Sequence, residues 1–359
     1  MITVDNTLQY VQIICNDNSG CSFIRLRWNA LYLQSFQNTN IIPVVINAPI
    51  MYADMLYRTK AVIWQRPIDT VAVKNLKAVQ PKFGFKMVAE FDDNIWDEIP
   101  EYNTCTLDNK RNTECLKENL KYFDTIMVST DYLKHNIEKT FSVFNVVTVE
   151  NAIPKFLYNI HRKPIEHDLV KPVVLWAGAN QHFRNPRNIS FGNPGLCGLR
   201  GDWTDEWVDF IIDNVKNDKI DFVMMGGMMP YFFDNIKEKI QVIPWTESNT
   251  FPRTYMSVNP DFVIAPLVEN EFNRCKSNLA YIQACAIGSV FIGSKFEYSP
   301  YENTITDLKD FWKYTEKDIY NKIIEQQDIF MEQSGAFLES SKHINKFLSV
   351  MDNSDVRRK

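Results

Sequence analysis

The chain has 359 residues, of which 45% are hydrophobic and 23% charged, and its formal net charge is -5 at pH 7. This composition excludes disordered and fibrous proteins, and the length is typical of two domains. No apolar run approaches the roughly 18 residues that a membrane span needs, and the first residues lack the basic start and apolar stretch of a signal peptide. We therefore expect no membrane association and a cytoplasmic location.

The cysteines and histidines argue against a metal or disulfide framework. Seven cysteines and five histidines are spread along the chain, with no Cys-x-x-Cys pair. This pattern favours neither a zinc site nor a set of disulfides, so no metal is predicted. Because the net charge is negative, a contact with nucleic acid would need a local basic surface.

Short apolar runs alternate with helix-length segments along most of the chain. The predicted strands are 8–16, 41–48, 61–67, 85–93, 124–130, 145–152, 172–179, 220–227, 239–245, 261–267 and 289–294. Such alternation predicts parallel sheets that are covered by helices on both faces.

A charged, proline-bearing stretch around residues 154–172 divides these strands into two blocks and is the predicted linker. We predict an α/β protein with two doubly wound, Rossmann-like domains that face each other across a cleft. The predicted domains are residues 1–155 and 156–335, followed by a helix and tail at 336–359. In such folds, ligands bind outside the carboxyl ends of the strands, so the loops there are the expected site of function.

The segment after the predicted strand 261–267 is the most informative one. Its loop and the start of its helix hold Asn273, Arg274, Lys276, Ser277 and Asn278. Free backbone N–H groups and the helix dipole favour an anion at such a start, and a diphosphate would fit there. Gln283, about a turn and a half further, would reach a neighbouring group such as a ribose hydroxyl. An ordinary helix with two solvated cations is the alternative.

This segment resembles the nucleotide-sugar signature of retaining glycosyltransferases of the GT-B fold, in which a helix ends Glu-Ala-x-Ala-x-Gly. The chain reads Gln-Ala-Cys-Ala-Ile-Gly over 283–288, and Cys275 stands where the family has an earlier glutamate. The run Phe-Asn-Arg-Cys-Lys-Ser over 272–277 is similar to a phage and bacterial branch. The resemblance implies that Lys276 binds the donor diphosphate and Gln283 the ribose, with a UDP-sugar as substrate and no cofactor.

The loop after the strand 172–179 contains Gly178, Arg184 and Arg187. A glycine lets a ligand approach the backbone, and a guanidinium matches a phosphate. The resemblance places a second diphosphate-binding cation here, for which we choose Arg184; a basic surface loop is the alternative. The glycine cluster at 192–201 lacks the ending of a P-loop and is predicted to be a flexible flap.

Gly226 and Trp245 follow two further strands of the second block. The resemblance implies that these positions border the nucleotide base, on which Trp245 would stack. A tryptophan that closes a hydrophobic core is the alternative. In the first block, Gly20 gives a ligand room at a helix start, and it resembles the glycine loop with which GT-B enzymes meet the sugar donor.

Carboxylates are crowded after the strand 85–93, at Asp92, Asp93, Asp97 and Glu98. Such a cluster predicts a hydroxyl-rich ligand, a cation, or a raised pKa that suits proton transfer. We expect Asp92 or Asp93 to orient an acceptor hydroxyl or to accept its proton. Capping of the next element by Asp93 or Asn94 is the alternative.

Basic residues interleaved with aromatic ones form a candidate nucleic-acid surface. They are Arg58, Lys60, Lys74, Lys77, Lys82 and Lys86. One solvated helix face is the simpler interpretation. The functional interpretation is a track for DNA, because the lysines bracket strands whose ends face the cleft. With the phage-like run, it makes a hydroxymethylated base in phage DNA the expected acceptor and the host cytoplasm the expected location.

The resemblance therefore implies transfer of a hexose or pentose from a nucleoside-diphosphate sugar to a hydroxyl, with retention and without a metal. Arg184, Lys276 and the helix start at Ser277 would stabilise the leaving diphosphate. The alternatives are a sugar-nucleotide epimerase that uses the carboxylates as acid and base, and a transferase acting on a polysaccharide or protein. A non-catalytic donor-binding relative is a third, because Cys275 and Gln283 replace family glutamates.

Overall fold

The computed structural model describes residues 8–36, 40–96, 100, 109–158, 164–179, 182–183, 201–227 and 229–352. Its strands are β1 Gln9–Ile14, β2 Ile41–Ile46, β3 Thr59–Gln65, β4 Lys86–Phe91, β5 Thr125–Val128, β6 Val146–Thr148, β7 Val173–Gly178, β8 Asp221–Gly226, β9 Gln241–Pro244, β10 Phe262–Ala265 and β11 Val290–Gly293. All of the predicted strands are confirmed, and their ends differ by at most four residues.

The strands form two parallel sheets, one in each half of the chain. The first sheet has the order β2-β1-β3-β4-β5-β6, and the second has the order β11-β10-β7-β8-β9. Every residue of β4, β5, β10 and β11 is buried. Full burial of an aliphatic side chain stabilises a fold by about 1.5–3 kcal/mol, which explains why these strands are mostly apolar. We call the first sheet with its helices the first domain, and the second sheet with its helices the second domain.

Helices connect the strands and cover the sheets. The α-helices are α1 Gly20–Ser22, α2 Trp28–Phe36, α3 Ala53–Tyr57, α4 Thr70–Phe83, α5 Asn109–Asn119, α6 Asp131–Phe141, α7 Asp205–Lys216, α8 Phe251–Val258, α9 Glu271–Arg274, α10 Leu279–Ala286, α11 Lys317–Ser334 and α12 Ser341–Ser349. A π-helical segment, Phe23–Arg27, joins α1 to α2, and 3-10 helices lie at Leu120–Tyr122, Lys155–Leu157, Tyr231–Phe233, Lys237–Lys239 and Leu308–Thr315. Within the described ranges, none of the helices has the length and apolarity needed to cross a bilayer.

Local sequence signals explain where helices begin and end. Helix α4 begins after Asp69, whose side chain accepts a hydrogen bond from the Ala72 N–H at 3.0 Å. It ends at Gly84, which has a φ of 75°. An aspartate cap and a left-handed glycine are the usual signals for these two positions. The helix therefore runs from the carboxyl edge of the first sheet back to its amino edge.

The C-terminal helix packs on the first domain, although it follows the second domain in the chain. His343 Nε2 donates to Asn29 Oδ1 at 2.8 Å, and Lys346 pairs with Glu150 at 2.7 Å. The pKa of His343 is lowered to about 4, mainly by burial, so the ring is neutral at pH 7. This segment, which the sequence predicted only as a helix and tail, ties the last part of the chain to the first sheet.

Candidate functional site

Asp92 and Asp93 come directly after β4, at the carboxyl edge of the first sheet. Asp92 is 8% exposed, and the Arg66 guanidinium donates to its Oδ1 from Nη2 at 2.6 Å and from Nε at 3.0 Å. Arg66 has a left-handed backbone, with φ of 47°, which a bulky residue keeps only when its surroundings hold it there. Arg66 directly follows β3 and Asp92 directly follows β4, and they lie side by side because these two strands are paired.

The two aspartates have different surroundings. Burial by itself would raise the pKa of Asp92, but the charge of Arg66 and hydrogen bonds from Cys21 and Arg66 hold that pKa below its ordinary value. Asp92 is therefore a fixed anion and a weak proton acceptor. Asp93 is half-buried and forms no salt bridge with any residue that the structure describes. Asp93 is thus the better candidate for accepting a proton.

Cys21, in α1, completes a group with metal-ligand spacing. One ligand atom each from Cys21, Asp92 and Asp93 lies within 4.8 Å of the others. Burial and the neighbouring charge of Asp92 raise the pKa of the Cys21 thiol well above its ordinary value, and a protonated thiol is a poor metal ligand. Arg66 already neutralises Asp92, so we assign no metal to this group.

Lys276 of the second domain lies opposite these carboxylates. Burial by itself would lower the pKa of Lys276, but the charges of Asp93, Asp202 and Asp92 raise it above its ordinary value. Its Nζ also lies 4.6 Å from the centre of the Phe272 ring. The loop that carries Lys276 meets the segment after β4, because Asn94 Nδ2 donates to Cys275 Sγ at 3.7 Å. The predicted residues Asp92, Asp93 and Lys276 therefore lie near one another, between the domains.

Asn273 supports the loop that carries Lys276. It is fully buried, and its Nδ2 donates to Asp202 Oδ1 at 2.7 Å and to the Val268 carbonyl at 2.9 Å. The other oxygen of Asp202 lies 2.8 Å from His182 Nδ1. Asp202 thus joins the loop after β7 to the loop after β10. The donor-binding role of Asn273 stays a prediction.

The other predicted residues of this segment point in different directions. The Arg274 guanidinium pairs with Glu269 and, at 3.7 Å, with Glu271. Gln283 Nε2 donates to the Tyr158 hydroxyl at 3.0 Å, and Ser277 Oγ accepts from Asn151, as described below. Asn278 lines a cavity of about 250 Å³ between α10, α11 and α12. Their donor contacts stay predictions.

Two glycines and a tryptophan lie side by side at the carboxyl edge of the second sheet. Gly178, Gly226 and Pro244 are in register on β7, β8 and β9. Gly226 has a φ of 103°, and a Cβ added there would lie 2.6 Å from the Gly178 carbonyl oxygen. Trp245 lies beside Gly226 and is 61% exposed. The alternative that Trp245 closes a core is therefore wrong, and its face is free for a ligand.

Gly20 begins α1 and is exposed, and a Cβ added there would meet nothing within 4 Å. The helix start therefore has the open space that was predicted. Arg184 and Arg187 lie outside the described residues, as do Asp97, Glu98 and most of the glycine cluster. Their predicted roles stay predictions.

Part of the basic surface that was predicted as a DNA track lies away from the crevice. Lys60 and Lys86 stand at the amino ends of β3 and β4, and both contact Asp352, at 3.0 Å and 2.8 Å. Lys74 pairs with Glu118 at 3.2 Å, and Lys77 lies 3.9 Å from Asp124. Lys60 and Lys86 therefore lie at the edge opposite to the strand ends that face the crevice, and for these two residues the predicted track is wrong.

Sequence reasoning gave no role to two buried charges near the site. Arg25 and Glu90 are 3% and 0% exposed, and Arg25 Nε donates to Glu90 Oε1 at 2.6 Å. The available signal was a glutamate inside the apolar run 86–91, because a buried carboxylate needs a partner. For Arg66, the sequence offered no signal of function except its position at the end of a predicted strand.

No protein-family model and no curated protein matches the sequence. Solved structures do match over nearly the whole chain. A glycosyltransferase from Rickettsia africae ESF-5 aligns with a TM-score of 0.63 at 13% identity, covering 99% of this chain and 100% of that one. The Anabaena protein HepE, solved with UDP and glucose, aligns with a TM-score of 0.59 at 8% identity, covering 95% and 98%.

An α-glucosyltransferase solved with UDP and a 13-mer DNA containing a HMU base aligns with a TM-score of 0.50 at 12% identity, covering 97% of this chain and 96% of that one. These likenesses are structural, because the identities are low. They confirm the predicted fold, two parallel α/β domains arranged as in GT-B glycosyltransferases.

Proposed function

We propose that this protein transfers a sugar from a nucleoside-diphosphate sugar to an acceptor hydroxyl. One observation carries the proposal: the segment after β4, which holds Asp92 and Asp93, meets the loop that holds Lys276, where Asn94 Nδ2 donates to Cys275 Sγ at 3.7 Å. A cation that binds a leaving diphosphate thus faces a carboxylate that accepts a proton, in a fold that glycosyltransferases share.

The donor would lie along the carboxyl edge of the second sheet. Lys276 and the start of α10 bind its diphosphate. The Asn278 side chain does not cap that helix, so the backbone N–H groups of its first turn can donate to the diphosphate. Gln283 contacts the ribose, and the exposed ring of Trp245 stacks on the base. We propose UDP as the nucleotide. The proposal treats the donor as a substrate and includes no cofactor or metal.

The reaction breaks the bond between the anomeric carbon and the diphosphate oxygen, and the electron pair leaves with the diphosphate. Lys276 and the helix start stabilise the charge that grows on this leaving group. The acceptor oxygen bonds to the anomeric carbon, and its proton passes to the Asp93 carboxylate. Arg66 keeps Asp92 ionised and in place beside Asp93. We propose that the configuration of the anomeric carbon is retained, which requires the acceptor oxygen to attack the same face of the sugar that the diphosphate leaves.

For the acceptor, we propose a hydroxymethylated base in DNA. The similarity of residues 272–277 to the phage and bacterial branch supports this choice. A base in a duplex has to leave the stack to reach the crevice. Because part of the predicted lysine track lies elsewhere, we expect contact with DNA to be confined to the rim of the crevice.

The test is a transfer assay with a panel of nucleotide sugars and DNA that contains hydroxymethylated bases, with the same DNA unmodified as control. We expect a mass gain of one sugar on the modified DNA alone, and NMR of the product gives its anomeric configuration. Transfer to a polysaccharide or protein alone would contradict the acceptor. Conversion of the donor to another sugar nucleotide, or tight binding without turnover, would contradict the transferase proposal.

A further inference from the structure

The loop that presents Lys276 is fastened to the first domain on both sides. Cys275 is fully buried among apolar side chains of the first domain, and its carbonyl accepts from Thr130 Oγ1 at 3.2 Å. Ser277 Oγ accepts from Asn151 Nδ2 at 2.7 Å. The residues before and after Lys276 are thus held by side chains of the other domain, so its backbone position depends on that domain.

Asn151 is itself oriented by a buried arginine. Arg25 Nη1 donates to Asn151 Oδ1 at 2.9 Å and to the Val149 carbonyl at 2.6 Å, and Asn151 is 7% exposed. A guanidinium only donates hydrogen bonds, so the amide oxygen of Asn151 has to face it. The amide nitrogen is thereby directed at Ser277.

The buried charges that orient Asn151 are poorly arranged for stability. Arg25 lies in the π-helical segment, a type of helix that is rare and frequent at functional sites. Its Nη2 and the Oε2 of Glu90 are buried without a hydrogen-bond partner among the described residues. An ion pair with such unpartnered atoms is costly to bury, and apolar residues would often be as stable. Stability alone is therefore a weak explanation for this pair.

We propose that Asn151, oriented by Arg25, is a positioning residue that holds Ser277 and so fixes Lys276 opposite Asp93. The inference rests on the proposed function for what Lys276 does, but the geometry is independent of it. Asn151 acts through Ser277, and the donor-binding loop is complete only while the two domains are in contact. Loss of the Asn151 amide should therefore loosen this loop and weaken donor binding.

Hydrogen exchange of the free protein tests the positioning without any donor. In Asn151→Ala, we expect amides of residues 275–279 to exchange about tenfold faster, because one buried hydrogen bond is lost. Asn214→Ala is the matched control: Asn214 is 8% exposed and its Nδ2 donates to Phe210 within α7 at 2.8 Å. Unchanged exchange of the loop in Asn151→Ala, or an equal change in both variants, would overturn the proposal.

Donor kinetics test the consequence for function. We expect Asn151→Ala to raise the KM for the donor about tenfold and also to lower kcat, because the Lys276 ammonium group binds the diphosphate in the ground state and stabilises its growing charge in the transition state. In a Ser277→Ala background the same substitution should add nothing, and an equal rise of KM in both backgrounds would overturn the relay. If the wild type binds no nucleotide sugar, the proposed function fails, while the exchange experiment still decides whether Asn151 positions the loop.

Discussion

The two edges of the crevice are built in opposite ways. The first-domain edge is crowded with buried and paired charges, Arg25 with Glu90 and Arg66 with Asp92. The second-domain edge is a ledge of backbone at Gly178 and Gly226 beside an exposed ring. Fixed charges suit the orientation of a reacting hydroxyl, whereas backbone without side chains, beside an exposed ring, suits a large ligand that lies across the strand ends.

This difference suggests how the two domains divide the work. The first domain holds its carboxylates in place with arginines, and the second domain contributes the loop that carries Lys276 to the same point. We therefore expect substitutions at the first edge to change stability and pH dependence. Substitutions at the second edge should change ligand affinity and leave stability nearly unaltered.

The largest effect is expected for Arg66→Met. The substitution leaves Asp92 buried as an unpaired anion, which should lower the free energy of unfolding by about 3 kcal/mol at pH 7. Chemical denaturation measures it. Lys74→Met is the matched control, because it removes one partner of an exposed pair with Glu118 and should leave the unfolding free energy within error. Equal unfolding free energies of the two variants would contradict the claim that the buried pair stabilises the protein more than the exposed pair does.

A pH effect should follow from Glu90. Burial, opposed by Arg25, raises the pKa of Glu90 from its ordinary 4.5 to about 7. The folded state then binds more protons than the unfolded state between these values, so stability falls as pH rises from about 4.5 to about 7. The full change is on the order of 3 kcal/mol.

The check is the difference in unfolding free energy between the wild type and Glu90→Gln across pH 4 to 8. This difference cancels the pH dependence that other titrating groups give to both proteins. His343 is one such group, because its lowered pKa makes stability fall as pH drops from about 6.5 to about 4. We expect the wild type to lose stability relative to Glu90→Gln as pH rises. A difference that is flat with pH would show that Glu90 does not titrate in this range.

A smaller effect, confined to ligand binding, is expected for Trp245→Ala. The ring is 61% exposed, so its removal should leave the melting temperature unchanged, while a nucleoside diphosphate loses a stacking partner and binds about fivefold to tenfold more weakly. Trp312→Ala is the control, because Trp312 is 39% exposed and packs beside Lys219 instead. Equal affinities of the two variants would remove Trp245 from the base site.

The sequence was sufficient for the sheets and for part of the site. Buried parallel strands are apolar runs whatever their partners, so their positions could be predicted one by one. Lys276 and Asp93 could be found because each follows a strand in a fold whose ligands bind at strand ends.

The pairings could not be found in the same way. Arg66 meets Asp92 only because β3 lies next to β4, and strand order is not visible in a local pattern. The same limit explains the lysine track, since Lys60 and Lys86 face the amino edge and are covered by Asp352 from the far end of the chain. Long-range contacts of this kind have no signature in a short stretch of sequence.

The most direct test of the account is a calorimetric titration of UDP into three proteins: the wild type, Lys276→Ala, and Lys322→Ala, which removes an exposed lysine of α11. We predict that UDP binds the wild type and Lys322→Ala equally. It should bind Lys276→Ala about 100-fold more weakly, because a charged contact with the diphosphate is lost. Equal binding to all three proteins, or binding to none, would contradict the assignment of the donor site.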